Sequence, residues 1–125
     1  MILDTNALSA IADGESGAVK WFSSAARVAI PVIALGEYRF GIAKSRHKRE
    51  YERWLAEMVE VSTVLDVDEE TAHGYAELRI QLKEAGTPIP SNDAWIAALG
   101  RQHTMSILSH DRHFDLIKGL KRLDW

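Results

Sequence analysis

The segment MILDTNALS, residues 1–9, decides the fold class of this chain. Its first three residues are apolar, and Asp4 follows them directly. Asp4 and Asn6 are residue types that favour the start of a helix. A short apolar run that gives way at once to a helix is typical of a buried parallel strand and its crossover helix. The segment therefore predicts a central strand with a carboxylate at its C-terminal end.

The same pattern recurs along the chain. Further apolar runs occur at 28–30, within 61–67 and at 105–108, and the last residues, 120–125, are predicted to add an edge strand. Helical periodicity separates them, at 35–44, 49–59, 69–85 and in a segment that follows Ser91 as its predicted N-cap. We therefore predict an α/β fold, a three-layer α/β/α sandwich with a mostly parallel sheet of four to five strands.

Composition limits the possible classes of protein. The chain has 125 residues, of which 46% are hydrophobic and 26% charged, and we expect a single domain over 1–125. It contains no cysteine, so disulfides and cysteine-ligated zinc are excluded. No apolar run could span a bilayer and no secretory signal is visible, so we expect a cytoplasmic protein without a membrane partner.

Four carboxylates follow predicted strands or begin predicted helices: Asp4, Glu37, Asp93 and Asp111. In parallel sheets, ligands bind outside the carboxyl ends of the strands, so the fold would bring these distant residues together. Each one alone has a structural explanation, as a helix cap or as an acid favoured by a helix dipole. As a set they predict a site for Mg²⁺ or Mn²⁺, because hard divalent ions prefer carboxylate oxygen ligands.

A divalent cation held by carboxylates suits phosphodiester hydrolysis, because it activates water and neutralises charge on the phosphoryl group. We therefore expect a metal-dependent nuclease. The last segment offers two acids, Asp111 and Asp115, and we favour Asp111 as the ligand because it is nearer to the strand end. Asp115 is then a supporting residue. Whether one or two ions act is left open.

Basic residues cluster between the second and third predicted strands. The net charge of −3 does not favour a nucleic-acid ligand, but the distribution of charge does. The candidate substrate-binding residues are Arg39, Lys44, Arg46, Lys48 and Arg49. They could equally form a solvated helix face, or part of a dimer or partner interface.

Four segments resemble one known family. Residues 1–9 resemble the opening of PIN domains of the VapC type, which are toxin ribonucleases. Segments 36–42, 90–98 and 109–115 resemble the later acidic motifs of that family, in the same order. One departure is Ala34, which stands where relatives often carry Ser or Thr.

The resemblance implies an endoribonuclease that depends on Mg²⁺ or Mn²⁺ and hydrolyses RNA by a metal-activated water. It also implies a homodimer neutralised by a cognate antitoxin, as in toxin–antitoxin pairs. By that similarity the metal-binding acids are Asp4, Glu37, Asp93 and Asp111. Asn6 and Ser109 would support them by orienting their carboxylates.

Other functions fit the sequence less well than a nuclease does. Phosphatases of the haloacid dehalogenase kind also begin with a strand-end Asp, but they need a second acid where this chain has Asn6. A dinucleotide-binding domain would carry a glycine-rich fingerprint after the first strand, and none is present. The remaining alternative is a catalytically silent RNA- or protein-binding module on the same fold. The histidines, including His110 and His113, are expected in surface or capping roles.

Overall fold

A single parallel sheet forms the centre of the computed structural model, which describes all residues 1–125. Its strands are β1 (Ile2–Leu3), β2 (Ala29–Pro31), β3 (Thr63–Leu65), β4 (Ile107–Leu108) and β5 (Arg122–Leu123). They are ordered β3-β2-β1-β4-β5, and every neighbouring pair is parallel. The α/β prediction is confirmed, with five strands and no antiparallel member.

Six helices surround the sheet: α1 (Thr5–Ala12), α2 (Ser16–Ser24), α3 (Val32–Ile42), α4 (Lys48–Glu60), α5 (Glu69–Glu84) and α6 (Ser91–Gln102). A short 3₁₀ helix covers Arg112–Leu116. The predicted role of Ser91 as N-cap is wrong, because Pro90 occupies that position and Ser91 is the first helical residue. Proline fits there because its fixed φ leads into a helix. None of the helices is both long and apolar enough to cross a membrane.

Alternating strand side chains create two hydrophobic cores. Leu3, Ile30 and Leu108 join the core packed by α1, α2, α3 and α4. Their neighbours Ile2 and Ile107 join the core packed by α5 and α6 on the other face. Because successive strand residues point to opposite faces, even two-residue strands contribute to both cores. The sheet is thus covered on both sides, which gives the expected three layers.

The strand order changes direction beside β1, since β2 lies on one side of it and β4 on the other. Such a reversal leaves a crevice at the carboxyl ends of the two central strands, where open α/β sheets bind ligands. Asp4 directly follows β1 and Ser109 directly follows β4. These two residues mark the position of the candidate site.

Candidate active site

Asp4 is the centre of a hydrogen-bond network at this crevice. Only 4% of its surface is exposed. One carboxylate oxygen accepts a hydrogen bond from the Thr5 amide at 2.8 Å, which caps α1. The other accepts from Ser109 Oγ at 2.8 Å and from Asn6 Nδ2 at 3.2 Å. The carboxylate is therefore held in one orientation by three donors.

Ser109 connects Asp4 to the last acidic segment. Its side chain is fully buried, and its Oγ accepts hydrogen bonds from Asn6 Nδ2 at 3.1 Å and from the Asp111 amide at 2.9 Å. Asn6 in turn accepts from the His110 amide at 3.1 Å. The loop after β4 is thus fixed to the start of α1, and Asp111 is placed beside Asp4.

Glu37 reaches the site from α3. Thr5 Oγ1 donates to Glu37 Oε1 at 3.1 Å, across 32 positions of sequence. Helix α3 follows β2 directly, so it begins at the same edge of the sheet as α1. Glu37 is therefore joined to Asp4 through one residue, Thr5.

Asp93 and Asp111 are joined by a histidine. His113 Nδ1 lies 3.0 Å from Asp93 Oδ2 and 2.8 Å from Asp111 Oδ1. Asp111 also caps the 3₁₀ helix, because its Oδ1 accepts from the His113 amide at 2.9 Å. Candidate ligand atoms of these three residues all lie within 4.8 Å of one another.

The electrostatics of the cluster favour proton uptake. Burial raises the pKa of Asp4, and the nearby Glu37 and Asp111 carboxylates raise it further against the lowering effect of its hydrogen bonds. Burial likewise raises the pKa of Asp93 to about 6, with Asp111 and Asp4 adding to it. The hydrogen bond to Asp93 raises the pKa of His113. A cation bound here would offset both the burial of these carboxylates and the repulsion between them.

The donor set fits a hard divalent cation. Four carboxylates supply the oxygen ligands that Mg²⁺ and Mn²⁺ prefer, and the single imidazole is accepted by Mn²⁺ more readily than by Mg²⁺. The fixed orientation of Asp4 is what a ligand needs, because hydrogen bonds from supporting residues set the direction of a ligand's lone pairs.

The sequence-based site residues fall into two groups. Asp4, Glu37, Asp93 and Asp111 are brought together, and Asn6 and Ser109 contact Asp4 as expected of supporting residues. Asp115 lies in an ion pair with Arg122 at 2.9 Å, which favours Asp111 as the acid of the site.

The basic residues lie outside the acidic cluster. Arg39, Lys44, Arg46, Lys48 and Arg49 are exposed along the end of α3 and the start of α4. Arg39 forms an ion pair of 3.6 Å with Glu52, and none of the five pairs with an acid of the site. They therefore remain candidates for contacting a substrate beyond the acidic cluster.

His113 is the residue that sequence analysis missed. We expected a surface or capping role, whereas its imidazole lies between two of the predicted ligands. The signal was its position two residues after Asp111, in a short helix that turns its side chain back toward that acid. That signal is weak without the fold, because the distance to Asp93 depends on how α6 packs.

Comparison with known proteins agrees with this geometry. Residues 1–120 match the PIN domain family. The chain is 33% identical over 95 residues to Ribonuclease VapC5 of Mycobacterium tuberculosis, covering 74% of this chain and 70% of that protein.

Solved structures extend the similarity to nearly the whole chain. VapBC2 from Rickettsia felis, bound to a promoter DNA fragment, superposes with a TM-score of 0.89 at 23% identity, over 99% of this chain and 97% of the other. FitAcB from Neisseria gonorrhoeae superposes with a TM-score of 0.86 at 26% identity, over 98% and 95%. The first of these supports the fold alone.

Proposed function

This chain belongs to the PIN domain family and, within it, to the VapC ribonucleases, and from that premise we propose that it is a divalent-metal-dependent endoribonuclease. One observation carries the proposal. Acids from four separate segments meet at the reversal point of the sheet, where Ser109 links Asp4 to Asp111. We propose further that it acts as the toxin of a toxin–antitoxin pair.

The metal ligands in this proposal are Asp4, Glu37, Asp93 and Asp111. When bound, Mg²⁺ or Mn²⁺ supplies charge neutralisation at the phosphoryl group and a more acidic water. The protein's own contribution is orientation, because Asn6 and Ser109 hold the Asp4 carboxylate through Oδ2. The raised pKa of Asp93 means that this carboxyl holds a proton more readily than an exposed aspartate does.

The substrate is RNA in this proposal, and the basic residues named above are the surface that receives its backbone. They lie around the connection from α3 to α4, and Glu37 lies on α3 itself. Lysines and arginines beside an acidic site attract an anionic substrate without neutralising the acids. Contacts of this kind are sensitive to salt, since binding releases counterions from the phosphates.

Two protein partners belong to the proposal. The solved relatives include VapBC-5 from Mycobacterium tuberculosis, a member of the VapBC family of toxin–antitoxin systems at 26% identity, which supports a cognate antitoxin for this chain. A basic side chain of the antitoxin entering the acidic crevice would compete with the metal. Homodimerisation is part of the proposal because the resemblance implies it, with the 86% exposed Phe40 on α3 as a candidate contact. Residues 1–125 would act as one PIN-like domain, because β1 and β5 belong to the same sheet.

The decisive experiment compares the wild-type protein with Asp4→Asn on a labelled single-stranded RNA. We expect the wild-type protein to cut internally with Mg²⁺ or Mn²⁺ and to stop with a chelator. Asp4→Asn should fold, because asparagine also caps helices and the buried charge is removed, but it should not cut. The exposed Asp66→Asn is the matched control and should cut normally.

Two outcomes would contradict this function. Cleavage that continues in chelator, or in Asp4→Asn, removes the metal mechanism. Binding of RNA without cleavage at any metal concentration would favour the silent binding module. The toxin role is tested by growth arrest on expression, relieved by co-expression of the neighbouring small reading frame and absent in Asp4→Asn.

A further inference from the structure

A polar cleft of ≈ 260 Å³ adjoins the acidic cluster, between α1, α3 and α4. Thr5 and Glu37 line the part next to the site, where they are hydrogen-bonded to each other. Asp13, just after the end of α1, also lines it. Because α1 has eight residues, the cleft follows that helix for about 12 Å. It is thus an extension of the site along the first helix.

One wall of the cleft contains an unsatisfied polar group. Tyr38 lines the cleft and is 3% exposed, and its hydroxyl is buried without a hydrogen-bond partner. Buried hydroxyls nearly always have a partner, so an exception requires an explanation. Nearby, Tyr51 donates to Asp13 Oδ1 at 3.0 Å, and the second carboxylate oxygen of Asp13 has no hydrogen-bond partner. A ligand that enters the cleft and uncovers the Tyr38 hydroxyl can pair with both groups if it both donates and accepts.

We propose that this cleft is a subsite that receives one unstacked base of single-stranded RNA, next to the phosphodiester held at the acidic cluster. The inference rests on the proposed ribonuclease function and assigns the part of the substrate that the acids do not contact. Tyr38 and Asp13 meet the polar edge of the base. The base face lies against Tyr51 and the apolar Ile42 wall.

The charges of the cleft select a base over a phosphate. Asp13 and Glu37 are both acids, and they repel an anionic group. A carboxylate instead pairs well with the amino group of a base edge, and hydroxyls pair with either donors or acceptors. RNA recognition by inserted single bases requires unpaired RNA.

Two cations flank Ser45 at the edge of the cleft, where the phosphate of an inserted nucleotide would lie. Ser45 lines the cleft, and its chain neighbours Lys44 and Arg46 are exposed to solvent. A base inserted into the cleft leaves its own phosphate outside, where these two cations can contact it. The basic segment and the polar cleft therefore fit two parts of the same nucleotide.

Gly41 offers a way to close the cleft without disturbing the core. It lines the cleft within α3, and a Cβ added there meets nothing within 4 Å. Gly41→Leu therefore fills open space, and leucine is the better helix former. Gly74→Leu in α5 is the matched control, because a Cβ at Gly74 also meets nothing within 4 Å and Gly74 does not line the cleft.

The test measures binding of a fluorescent, unstructured RNA oligomer in chelator, where no cleavage occurs. We expect Gly41→Leu to weaken binding about ten- to a hundredfold, the value of one stacked base. Gly74→Leu should bind as the wild-type protein does. Mn²⁺ binding, followed by calorimetry, should be unchanged in both variants, which separates loss of the subsite from damage to the acids.

Two further variants test the assigned contacts. Tyr38→Phe should lower RNA affinity about fivefold without lowering the melting temperature, because it removes only an unpaired hydroxyl. A purely structural tyrosine would change stability and not RNA affinity. Asp13→Asn should change the order of affinity among oligomers that differ at one base, because an amide replaces an acceptor with a donor.

The outcomes separate this proposal from the function on which it rests. If the wild-type protein cuts RNA but a folded Gly41→Leu binds RNA normally, the subsite is wrong and the ribonuclease stands. If Gly41→Leu keeps RNA binding but loses binding of the antitoxin, the cleft is a protein site and the proposal is also wrong. If the wild-type protein binds RNA through the cleft but never cuts it, the proposed function fails instead.

Discussion

Ser109 Oγ donates a 2.8 Å hydrogen bond to Asp4 Oδ2, joining two residues that are 105 positions apart. The serine is fully buried, and its backbone belongs to the loop directly after β4. The same Oγ accepts from the Asp111 amide at 2.9 Å. One hydroxyl therefore sets the position of two acids relative to each other.

Ser109→Ala should weaken the site and the fold together. The change leaves the Asp111 amide without its partner and removes a donor from the buried Asp4 carboxylate, which costs about 1–3 kcal/mol of unfolding free energy. Metal affinity should fall about 10- to 100-fold, as for other residues that orient ligands. Urea unfolding and Mn²⁺ calorimetry measure the two effects.

Ser62→Ala is the control for this prediction. The Ser62 hydroxyl is also buried but has no hydrogen-bond partner, so its removal should not lower stability. Equal losses in the two variants would show that Ser109 acts only by filling space.

The metal-free protein should become less stable as the pH rises from about 4.5 to 7. The pKa of Asp93 is raised from 3.8 to about 6, and burial also raises the pKa of Asp4. A group with a raised folded pKa contributes stability that is present below its unfolded value and lost as the pH passes its folded value. His113 acts in the same direction, because its pKa is raised as well. Chemical unfolding in chelator measures the trend.

Adding Mg²⁺ or Mn²⁺ should flatten or reverse that trend, because the ions bind the deprotonated carboxylates. Asp93→Asn should reduce the pH dependence in chelator, whereas the exposed Asp66→Asn should leave it intact. A stability that rises steadily over this pH range in chelator would show that the acids are not crowded as described.

His113→Asn tests whether His113 acts as a counter-charge for the two acids or as a metal ligand. The imidazole lies between Asp93 and Asp111, so its loss should lower stability in chelator, where the two acids then repel. Mg²⁺ affinity should not fall, because a counter-charge competes with the cation for the two carboxylates. A large loss of Mg²⁺ affinity would instead identify His113 as a ligand.

Arg122→Met should loosen the loop that carries Asp111. Arg122 donates to the Ser109 carbonyl at 2.9 Å and to Asp115 at 2.9 and 3.2 Å. Its side chain is only 12% exposed although its carboxylate partners are half-exposed, so we expect a modest loss of stability, of about 1 kcal/mol.

Hydrogen exchange should report the same change as faster exchange at the amides of 109–115. Arg122→Lys should restore little, because a lysine cannot reproduce the forked contact. The exposed Lys121→Met is the control and should leave exchange in 109–115 unchanged. Unaltered exchange in Arg122→Met would show that the loop is held by Ser109 alone.

Sequence patterns located most of the fold because burial leaves a local signature. The residues of β1, β2 and β4 are apolar and buried, as expected of strands covered on both faces, whereas β3 at the edge of the sheet is partly exposed. Helix α2 was not predicted, and only Ala18 of its nine residues is buried. Ser91 was assigned as a cap because its residue type favours that role, but Pro90 precedes it.

The acids were identified in sequence by their places after strands and at helix starts, and by resemblance to a family. That reasoning named Asp4, Glu37, Asp93 and Asp111, all of which meet at one crevice. It left Asp111 and Asp115 as competitors, and it did not find His113. Which of the two acids joins the site, and whether His113 does, depends on the directions of their side chains in the loop and 3₁₀ helix after β4. Spacing in the sequence does not determine those directions.

Periodicity and residue chemistry are local properties, so they were enough to establish the α/β class, the succession of strands and the residue types of a hard-metal site. Tertiary structure alone decided that Ser109 holds Asp4, that His113 lies between two acids and that a cleft with an unpaired Tyr38 hydroxyl adjoins Glu37. Those relations join residues far apart in the chain, and they exist only once parallel strands have placed their carboxyl ends at one edge.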